Sequence, residues 1–534
     1  MASVVLLLAL AWPACAAAAP RALPTVVQDD AQLLFQSDAQ VRASLANLQA
    51  LGGQWVRVTA SWSDLTRDSG ATREPAFDDR DPAAYEQDKW ALVDRVVRLA
   101  PQYGLRVMID VGFWAPHWAA TDRASQTRPR TDVRAAPFAR FAAAVARRYS
   151  GTFTPPQQAA TGGGSAGGLG GLLAGLLELP APPAPAPAPA TPLPAATTLS
   201  LWNEPNEPVF LAPQWTVRGH HSAATAPTIY RRMVAAAYPA IKAVAPHDTV
   251  LVGGLSPHGH YGRQAGDMPP LRFIRAMACV DTRLRPIRTG SCAGFRKIPG
   301  DGWTHHAYDF DHVPSHRDGR ARPDNAAIGD LGRLTALLHR LVARGRLSAR
   351  LRDVYVTEFG YESNPPDRTV RWSVAQQARL LTWAEYLAQR NPHVKMWAQY
   401  ELRDGVKLRT TGGAQARRGY GGLQSGLLYE NGVAKPAARA FAAGLFASRR
   451  GGRVLLWGRL RAPGVRSAHI EARGARGGWR ALATSARPGG RAVAGFAPAA
   501  AFQRYARRGR GVVFYRVAYV DAAGRHVGVA VPLA

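Results

Sequence analysis

Apolar and polar residues alternate along most of the chain in a pattern that predicts short buried strands separated by amphipathic helices. Val41 and Leu45 begin a run at helical spacing that stops at Gly52, with Asp38 as the predicted cap. The apolar segment Trp55–Trp62 follows and predicts a strand. The same succession predicts eight strands, which begin near residues 25, 55, 105, 199, 250, 303, 354 and 394. Strands that alternate with helices between residues 24 and 447 predict a parallel (β/α)8 barrel, an α/β fold.

Residues 155–197 break this rhythm with a Gly-rich and then Pro-rich sequence of low complexity. Such composition is typical of a flexible and then extended insertion. The insertion falls between the third helix and the fourth strand. Connections from helix to strand lie on the face opposite the carboxyl ends of the barrel strands, so we expect a solvent-exposed bulge there.

The pattern changes again near the carboxyl terminus. Short alternating apolar runs, separated by Gly and Pro, predict an all-β, sandwich-like domain over residues 452–534. Trp457 and Trp479 lie in these runs. We interpret them as core residues of a spacer or docking domain, with carbohydrate binding as the alternative.

The first 19 residues resemble a secretory signal, because the apolar run Val4–Trp12 is followed by small residues up to Ala19. We therefore expect secretion, with association to the cell envelope as an open alternative. Removal of the signal leaves Cys279 and Cys292, an even pair that predicts a disulfide in an exported protein. Both cysteines fall between the fifth helix and the sixth strand, on the bottom face of the predicted barrel.

Composition narrows the range of partners. The 534 residues are 47% apolar, enough for a sizeable core, and carry a formal net charge of +30. The positive charge is nearly all arginine, scattered singly, which favours a compositional bias over a nucleic-acid-binding surface. Binding to acidic polymers is the alternative. No later apolar segment is long enough to span a membrane, and we expect a monomer.

Two of the predicted strands end in a glutamate. Asn203 and Glu204 follow the apolar run that begins at Leu199, and Glu358 follows the run that begins at Val354. Two carboxyl groups on one barrel rim are what cleavage of a glycosidic bond needs. We predict Glu204 as the general acid/base, kept protonated by burial and by the second carboxylate, and Glu358 as the ionised nucleophile. A separation of about 5–5.5 Å would give retention of configuration through a covalent glycosyl-enzyme.

Neighbouring polar residues have two interpretations each. The amide of Asn203 could hold the sugar 2-hydroxyl, whereas the alternative for this stretch is a simple turn. The run from His305 to His312 offers His and Asp side chains, but its spacing matches no common metal site. We therefore expect no metal and no cofactor.

These motifs resemble those of the clan A glycoside hydrolases, retaining enzymes with a barrel fold, over roughly residues 25 to 447. The chain looks most like the cellulase-type family 5, with family 39 close behind. The Asn-Glu-Pro of strand four and the Glu of strand seven match Asn203, Glu204 and Glu358. The resemblance implies that Glu204 is the acid/base. It also implies that Arg57, on strand two, pairs with the nucleophile and keeps it ionised.

The resemblance extends to strands six and eight. His306 and Tyr308 match the family's His-x-Tyr, which implies that the Tyr308 hydroxyl touches the nucleophile and that His306 lines the sugar subsite. Trp397 matches the tryptophan that floors the subsite, with Gln399 and Tyr400 as alternatives.

The sequence thus predicts a secreted retaining glycoside hydrolase that cleaves a β-linked oligo- or polysaccharide by double displacement. The alternative is a non-catalytic barrel that binds carbohydrate or the cell envelope. Some aromatic side chains fall on the predicted top loops, where they either stack on sugars or belong to the core. They are Trp62, Trp114, Trp118, Trp215 and Tyr261.

Overall fold

A computed structural model describes residues 21–122, 127–156, 191–218, 221–261, 266–408, 419–498, 500–509 and 511–534. The predicted signal, residues 1–19, lies outside the described residues. Residues 157–190, the greater part of the predicted insertion, also lie outside the described residues.

Eight parallel strands close into a barrel in chain order, and the first strand pairs with the last. They are Thr25–Gln28, Trp55–Ala60, Arg106–Val111, Thr198–Leu201, Thr249–Leu255, Gly302–His306, Val354–Glu358 and Val394–Tyr400. Gln28 closes the ring, since it is in register with Tyr400 on one side and Arg57 on the other. The strand residues are mostly buried, as parallel strands covered on both faces require. The predicted (β/α)8 barrel and its eight strands are confirmed.

Helices cover the barrel, and none among the described residues is long and apolar enough to cross a membrane. The α-helices are Asp30–Leu33, Asp38–Ala50, Trp62–Leu65, Gln87–Leu99, Ala135–Arg148, Ala226–Val244, Pro270–Met277, Leu331–Ala343, Val374–Arg390 and Pro436–Ala442. Short 3-10 turns are Pro82–Ala84, Ala100–Tyr103, His117–Ala119, Gly290–Cys292, Ile328–Asp330 and Ala349–Arg352. An antiparallel hairpin, Trp215–Arg218 with His221–Ala224, follows the fourth barrel strand.

The start of the helix Asp38–Ala50 differs from the prediction. Ser37 is its cap: the Ser37 hydroxyl accepts from the Gln40 backbone N–H, and the Gln40 side chain accepts from the Ser37 backbone N–H. The prediction of Asp38 as the cap was therefore wrong by one residue. A capping box needs Ser or Thr three positions before Glu or Gln, and only Ser37 satisfies that spacing here.

A disulfide joins Cys279 to Cys292, with an S–S distance of 1.99 Å and a Cα–Cα distance of 5.6 Å. Both cysteines lie between the helix Pro270–Met277 and the strand Gly302–His306. The predicted pairing is confirmed.

Two antiparallel sheets form the carboxyl-terminal region. The first contains Ala443–Arg450, Arg453–Leu460 and Ala501–Arg507, and the second contains Ser467–Gly474, Arg480–Leu482, Val512–Asp521, Gly524–Val527 and Val531–Pro532. Buried residues of both sheets, such as Leu456 and Val517, form one apolar cluster. The strand Ala443–Arg450 directly follows the helix Pro436–Ala442, so the first sheet begins ahead of residue 452.

Aromatic side chains join this β region to the barrel. Trp457 is 1% exposed, and its ring centroid lies 5.6 Å from that of Tyr386 on the helix Val374–Arg390. Phe446 stacks on the same Tyr386 at 4.5 Å. Trp457 is thus a core residue of the contact between the two regions, whereas Trp479 lies under the guanidinium of Arg516 at 4.1 Å.

Candidate active site

Glu358 ends the seventh barrel strand and is 8% exposed. Its Oε1 accepts a hydrogen bond from the Arg57 guanidinium at 2.9 Å, and its Oε2 accepts one from the Tyr308 hydroxyl at 3.1 Å. The Nδ1 of His306 lies 3.5 Å from the same Oε2. Close packing surrounds the strand end, since a Cβ at Gly360 would lie 2.4 Å from the carbonyl oxygen of Tyr400. The carboxylate is therefore held by three side chains, one from the second strand and two from the end of the sixth strand and the residues that follow it.

Arg57 is fully buried and links Glu358 to the interior of the barrel. Its guanidinium forms an ion pair with Asp110 on the third strand at 2.8 Å and donates to Gln28 on the first. The Ser200 hydroxyl, on the fourth strand, donates to the same Asp110 carboxylate at 2.6 Å. Four neighbouring strands thus fix the orientation of the cation that contacts Glu358.

The electrostatics of Glu358 combine opposing effects. Burial raises the pKa of Glu358, because a charged carboxylate loses its hydration in the barrel mouth. His306, Arg57 and the Tyr308 hydroxyl oppose this rise and favour the ionised form. The negative charge of Glu204 adds to the rise.

Glu204 lies just beyond the fourth strand, in a turn with unusual backbone angles. Trp202 and Glu204 have φ values of 66° and 35°, in the left-handed region that bulky residues rarely occupy. The Trp202 N–H donates to Val111 and the Glu204 N–H to Gly254, each at 2.9 Å, which fixes the turn. Such strain concentrates at functional sites. Here it presents Asn203 and Glu204 side by side to the barrel mouth.

His306 lies between the two glutamates. Its Nδ1 is 2.9 Å from Glu204 Oε1, in addition to the contact with Glu358. Burial lowers the pKa of His306 to about 4, so the ring is neutral near pH 7 and carries one N–H. Burial also raises the pKa of Glu204 to about 7, with Arg57 acting in the opposite direction. Glu204 therefore exchanges its proton close to neutral pH.

The two carboxyl groups approach each other closely. One oxygen of Glu204, one oxygen of Glu358 and a ring nitrogen of His306 all lie within 4.8 Å of one another. Glycosidases that retain configuration have carboxyl groups about 5–5.5 Å apart, and inverting enzymes about 6.5–9.5 Å apart. The close approach of these oxygens agrees with the shorter of the two separations.

A second group of possible metal ligands lies in and just after the run from His305 to His312. One ligand atom each of Asp309, His312 and His316 lies within 4.8 Å of the others. The Asp309 carboxylate is 2.9 Å from His312 Nδ1 and 3.1 Å from His316 Nδ1, and the two rings stack at 3.7 Å. Both Nδ1 atoms thus lie within hydrogen-bond distance of the Asp309 carboxylate. His305, in the same run, contacts the Ala326 carbonyl instead.

A cleft of about 730 Å³ opens at the carboxyl ends of the strands. Asn203, Glu204, Tyr308 and Glu358 are among its lining residues. Residues that follow the first and eighth strands form one end, which includes Asp29, Asp30, Gln32, Gln36, Glu401 and Arg403. Residues that follow the third and fourth strands form the other end, which has aromatic walls and includes Phe113, Trp114, Arg128, Val209 and Phe210, and the closed strand order puts the eighth strand opposite the fourth.

The structure brings together all of the predicted site residues except Trp397. That tryptophan is 4% exposed, packs against Phe359 at 4.6 Å, and does not line the cleft. Tyr400, which the sequence left as an alternative, does line it. The difference follows from the strand, because side chains an odd number of residues apart point to opposite faces.

Of the aromatic residues expected on the top loops, Trp114 lines the cleft. Trp62 and Trp118 are buried and pack edge to face at 6.0 Å, which makes them core residues. Trp215 lies under the guanidinium of Arg272, and Tyr261 hydrogen-bonds to the Asp324 backbone. Neither is part of the cleft lining.

Sequence reasoning missed Asp110 and Ser200, which orient Arg57. A signal was present: Asp110 interrupts the apolar run 107–111, and a carboxylate inside a buried strand needs a partner. It also missed Asp29 and Glu401, which line the acidic end of the cleft.

No protein-family model matches the chain, and no curated protein matches it. Its structure is similar to a family 39 glycoside hydrolase from Bacteroides cellulosilyticus WH2, with 14% identity, a TM-score of 0.46, and coverage of 92% of this chain and 81% of that one. A family 51 α-L-arabinofuranosidase from Bifidobacterium longum has 12% identity, a TM-score of 0.45, and coverage of 92% and 96%. A family 5 mannosidase from Rhizomucor miehei has 14% identity, a TM-score of 0.36, and coverage of 79% and 92%. These neighbours are glycoside hydrolases, the class that the sequence motifs resemble, but likenesses this distant do not assign a function.

Proposed function

We propose that this protein is a retaining glycoside hydrolase that cleaves a β-linked oligo- or polysaccharide by double displacement. One observation carries the proposal: one carboxyl oxygen of Glu204 lies within 4.8 Å of one carboxyl oxygen of Glu358, in one cleft and with unlike surroundings. This spacing lets one carboxylate attack a sugar carbon while the other protonates the oxygen that leaves it.

In the first step, the Glu358 carboxylate forms a bond to the anomeric carbon as the bond from that carbon to the glycosidic oxygen breaks. Glu204 transfers its proton to the departing oxygen. The pKa of Glu204, raised to about 7 by burial, keeps that proton available near neutral pH. The product is a covalent glycosyl ester on Glu358 and a free leaving sugar.

In the second step, Glu204, now ionised, takes a proton from water, and the water oxygen attacks the same carbon. The ester bond breaks and Glu358 returns to its carboxylate form. Two inversions at one carbon give net retention of configuration.

Neighbouring side chains support both steps. Arg57 and Tyr308 stabilise the Glu358 carboxylate through their direct hydrogen bonds. His306 holds Glu204 at 2.9 Å. Asn203 lines the cleft beside the acid, where its amide can bind the sugar 2-hydroxyl.

We also propose that the protein is secreted. The sequence of residues 1–19 supports this location, and so does the disulfide, since disulfides persist in oxidising compartments. Detection of the mature protein in culture medium, with its amino terminus near residue 20, tests the location.

A panel of aryl β-glycosides and polysaccharides tests the activity, with Glu358→Ala as the inactive variant. Glu86→Gln is a matched control, because Glu86 forms a surface ion pair with Arg67 away from the cleft. We expect hydrolysis by the wild type and the control, and the first product seen by NMR should have the β configuration. Equal turnover by the wild type and Glu358→Ala would refute the proposal. Binding without turnover would favour the non-catalytic alternative.

A further inference from the structure

The guanidinium of Arg128 forms part of the aromatic wall of the cleft. It lies over the Trp114 ring, with its central carbon 4.9 Å from the ring centroid. The Trp114 ring nitrogen donates to the Val209 carbonyl at 2.7 Å, and Phe210 stacks on the same ring. The wall that positions Arg128 is therefore packed and well defined.

Arg128 has no acceptor for its guanidinium among the described residues: it makes no ion pair and no side-chain hydrogen bond there. Burial lowers the pKa of Arg128, and the charge of Arg130 lowers it further. Arg130, in contrast, donates to the Pro208 and Arg128 carbonyls at 2.8 Å. The guanidinium donors of Arg128 that face the cleft are therefore available to an anionic ligand.

The position of this wall assigns it to the leaving side of the substrate. Val209 and Phe210 belong to the segment that follows Glu204, the residue that protonates the departing oxygen. The opposite end of the cleft carries the carboxyl groups of Asp29, Asp30 and Glu401 against one arginine, Arg403, so acidic groups outnumber basic ones there. A negative group therefore fits the end that Arg128 lines.

We propose that Arg128 binds an anionic group, a carboxylate or a sulfate ester, on the sugar that departs, so that the substrate is an acidic glycan. This inference rests on the proposed function and specifies its substrate class. The formal net charge of +30 agrees with it, because a strongly basic protein attracts anionic polymers from a distance. Arginine suits both groups, since its fork of N–H donors matches two oxygens of either anion.

The test uses nearly isosteric aryl β-glycosides whose leaving groups differ in charge, and comparing the same pair of substrates in each variant cancels the difference in phenol acidity. A 4-carboxyphenyl and a 4-carbamoylphenyl glycoside of the sugar chosen from the panel are compared by kcat/KM. A 4-sulfophenyl glycoside, whose sulfonate stands in for a sulfate ester, distinguishes that anion from the carboxylate. We expect Arg128→Gln to reduce the anionic-to-neutral ratio by about tenfold or more, the range of a charge-assisted hydrogen bond. Arg128→Lys should restore part of that ratio.

Arg106→Gln is the matched control. Arg106 also lies over a tryptophan, Trp55, at 5.4 Å, but it stands at the amino end of the third strand, away from the cleft. The variant loses the same charge and should keep the ratio of the wild type. An unchanged ratio in Arg128→Gln, or an equal loss in Arg106→Gln, would overturn the proposal.

Failure of the proposed function is recognised separately. If no glycoside is cleaved, each sugar of the panel is made as its 4-carboxyphenyl and its 4-carbamoylphenyl β-glycoside, and binding of these pairs to the wild type and to Arg128→Gln is measured by calorimetry. Tighter binding of the charged probe that is lost in Arg128→Gln supports the anion site. Equal affinity for the two probes contradicts it.

Discussion

The surroundings of the two glutamates differ more than their positions do. Both lie at the carboxyl ends of barrel strands, both line the same cleft and both contact His306. Glu358 also accepts hydrogen bonds from Arg57 and Tyr308, whereas His306 is the side chain seen to contact Glu204 directly. The carboxyl group with an arginine partner suits the ionised nucleophile, and the one without suits the proton donor. Environment, not chain position, therefore separates the two roles.

Replacement of the nucleophile should have the largest effect. Glu358→Ala is expected to lower kcat by about 10⁴-fold or more, because the covalent step has no substitute group. Azide should fill the vacated space and give an α-glycosyl azide from a β-glycoside, as one inversion requires. A β-glycosyl azide from this variant would reverse the two assignments.

Replacement of the acid/base should be less severe. Glu204→Gln is expected to lower kcat by about 10²–10⁴-fold, the usual contribution of general acid–base catalysis. The loss in the first step should shrink for aryl glycosides whose phenols are acidic, because such leaving groups need little protonation. An equal loss for all leaving groups, measured by burst kinetics, would contradict the role of Glu204.

The pH profile offers a way to sharpen the same comparison. The first step needs protonated Glu204, whose pKa is raised to about 7 by burial. Activity should therefore fall above about pH 7, roughly tenfold for each further pH unit. This fall of activity at alkaline pH should be absent in Glu204→Gln.

The same shift has a consequence for stability. The pKa of Glu204 rises from 4.5 to about 7 on folding, so the folded protein binds more protons than the unfolded chain within that window. The free energy of unfolding therefore decreases as pH rises through it. Glu204→Gln cannot ionise, so its Tm should exceed that of the wild type at about pH 8, and the difference should disappear near pH 4. A difference that does not change with pH would argue against a raised pKa.

Replacement of Asp110, which forms an ion pair with Arg57, should have a smaller effect on kcat. Asp110→Asn removes a negative charge from Arg57, which then acts more fully on Glu358. We expect kcat to fall by about tenfold through lost positioning, and the acid limb of kcat/KM to move to lower pH. Asp94→Asn is the matched control, because Asp94 forms a buried pair with Arg148 at 2.6 Å outside the cleft. If both variants shift the limb equally, Asp110 has no specific role.

The sequence predicts those parts of the molecule in which an apolar run along the chain gives way to polar residues. An apolar run that ends in Glu marks a strand and its functional end, and Glu358 shows both features. The strand Ala443–Arg450 lacks such a signal, because the alanine-rich helix Pro436–Ala442 runs into it without a polar break. The partners of Arg57 come from three other strands, so their convergence depends on barrel register, which one sequence does not display.

The smallest predicted effect concerns the end of the eighth strand, where the sequence motif and the register disagree. Tyr400 lines the cleft, and its ring centroid lies 6.3 Å from that of Tyr308, whereas Trp397 packs against Phe359. Tyr400→Phe should therefore raise KM by a few fold, with little change in Tm. Trp397→Phe should lower Tm, because it leaves a gap in the core, and should leave KM near that of the wild type. If Trp397→Phe raised KM while Tyr400→Phe did not, the tryptophan would belong to the sugar subsite after all.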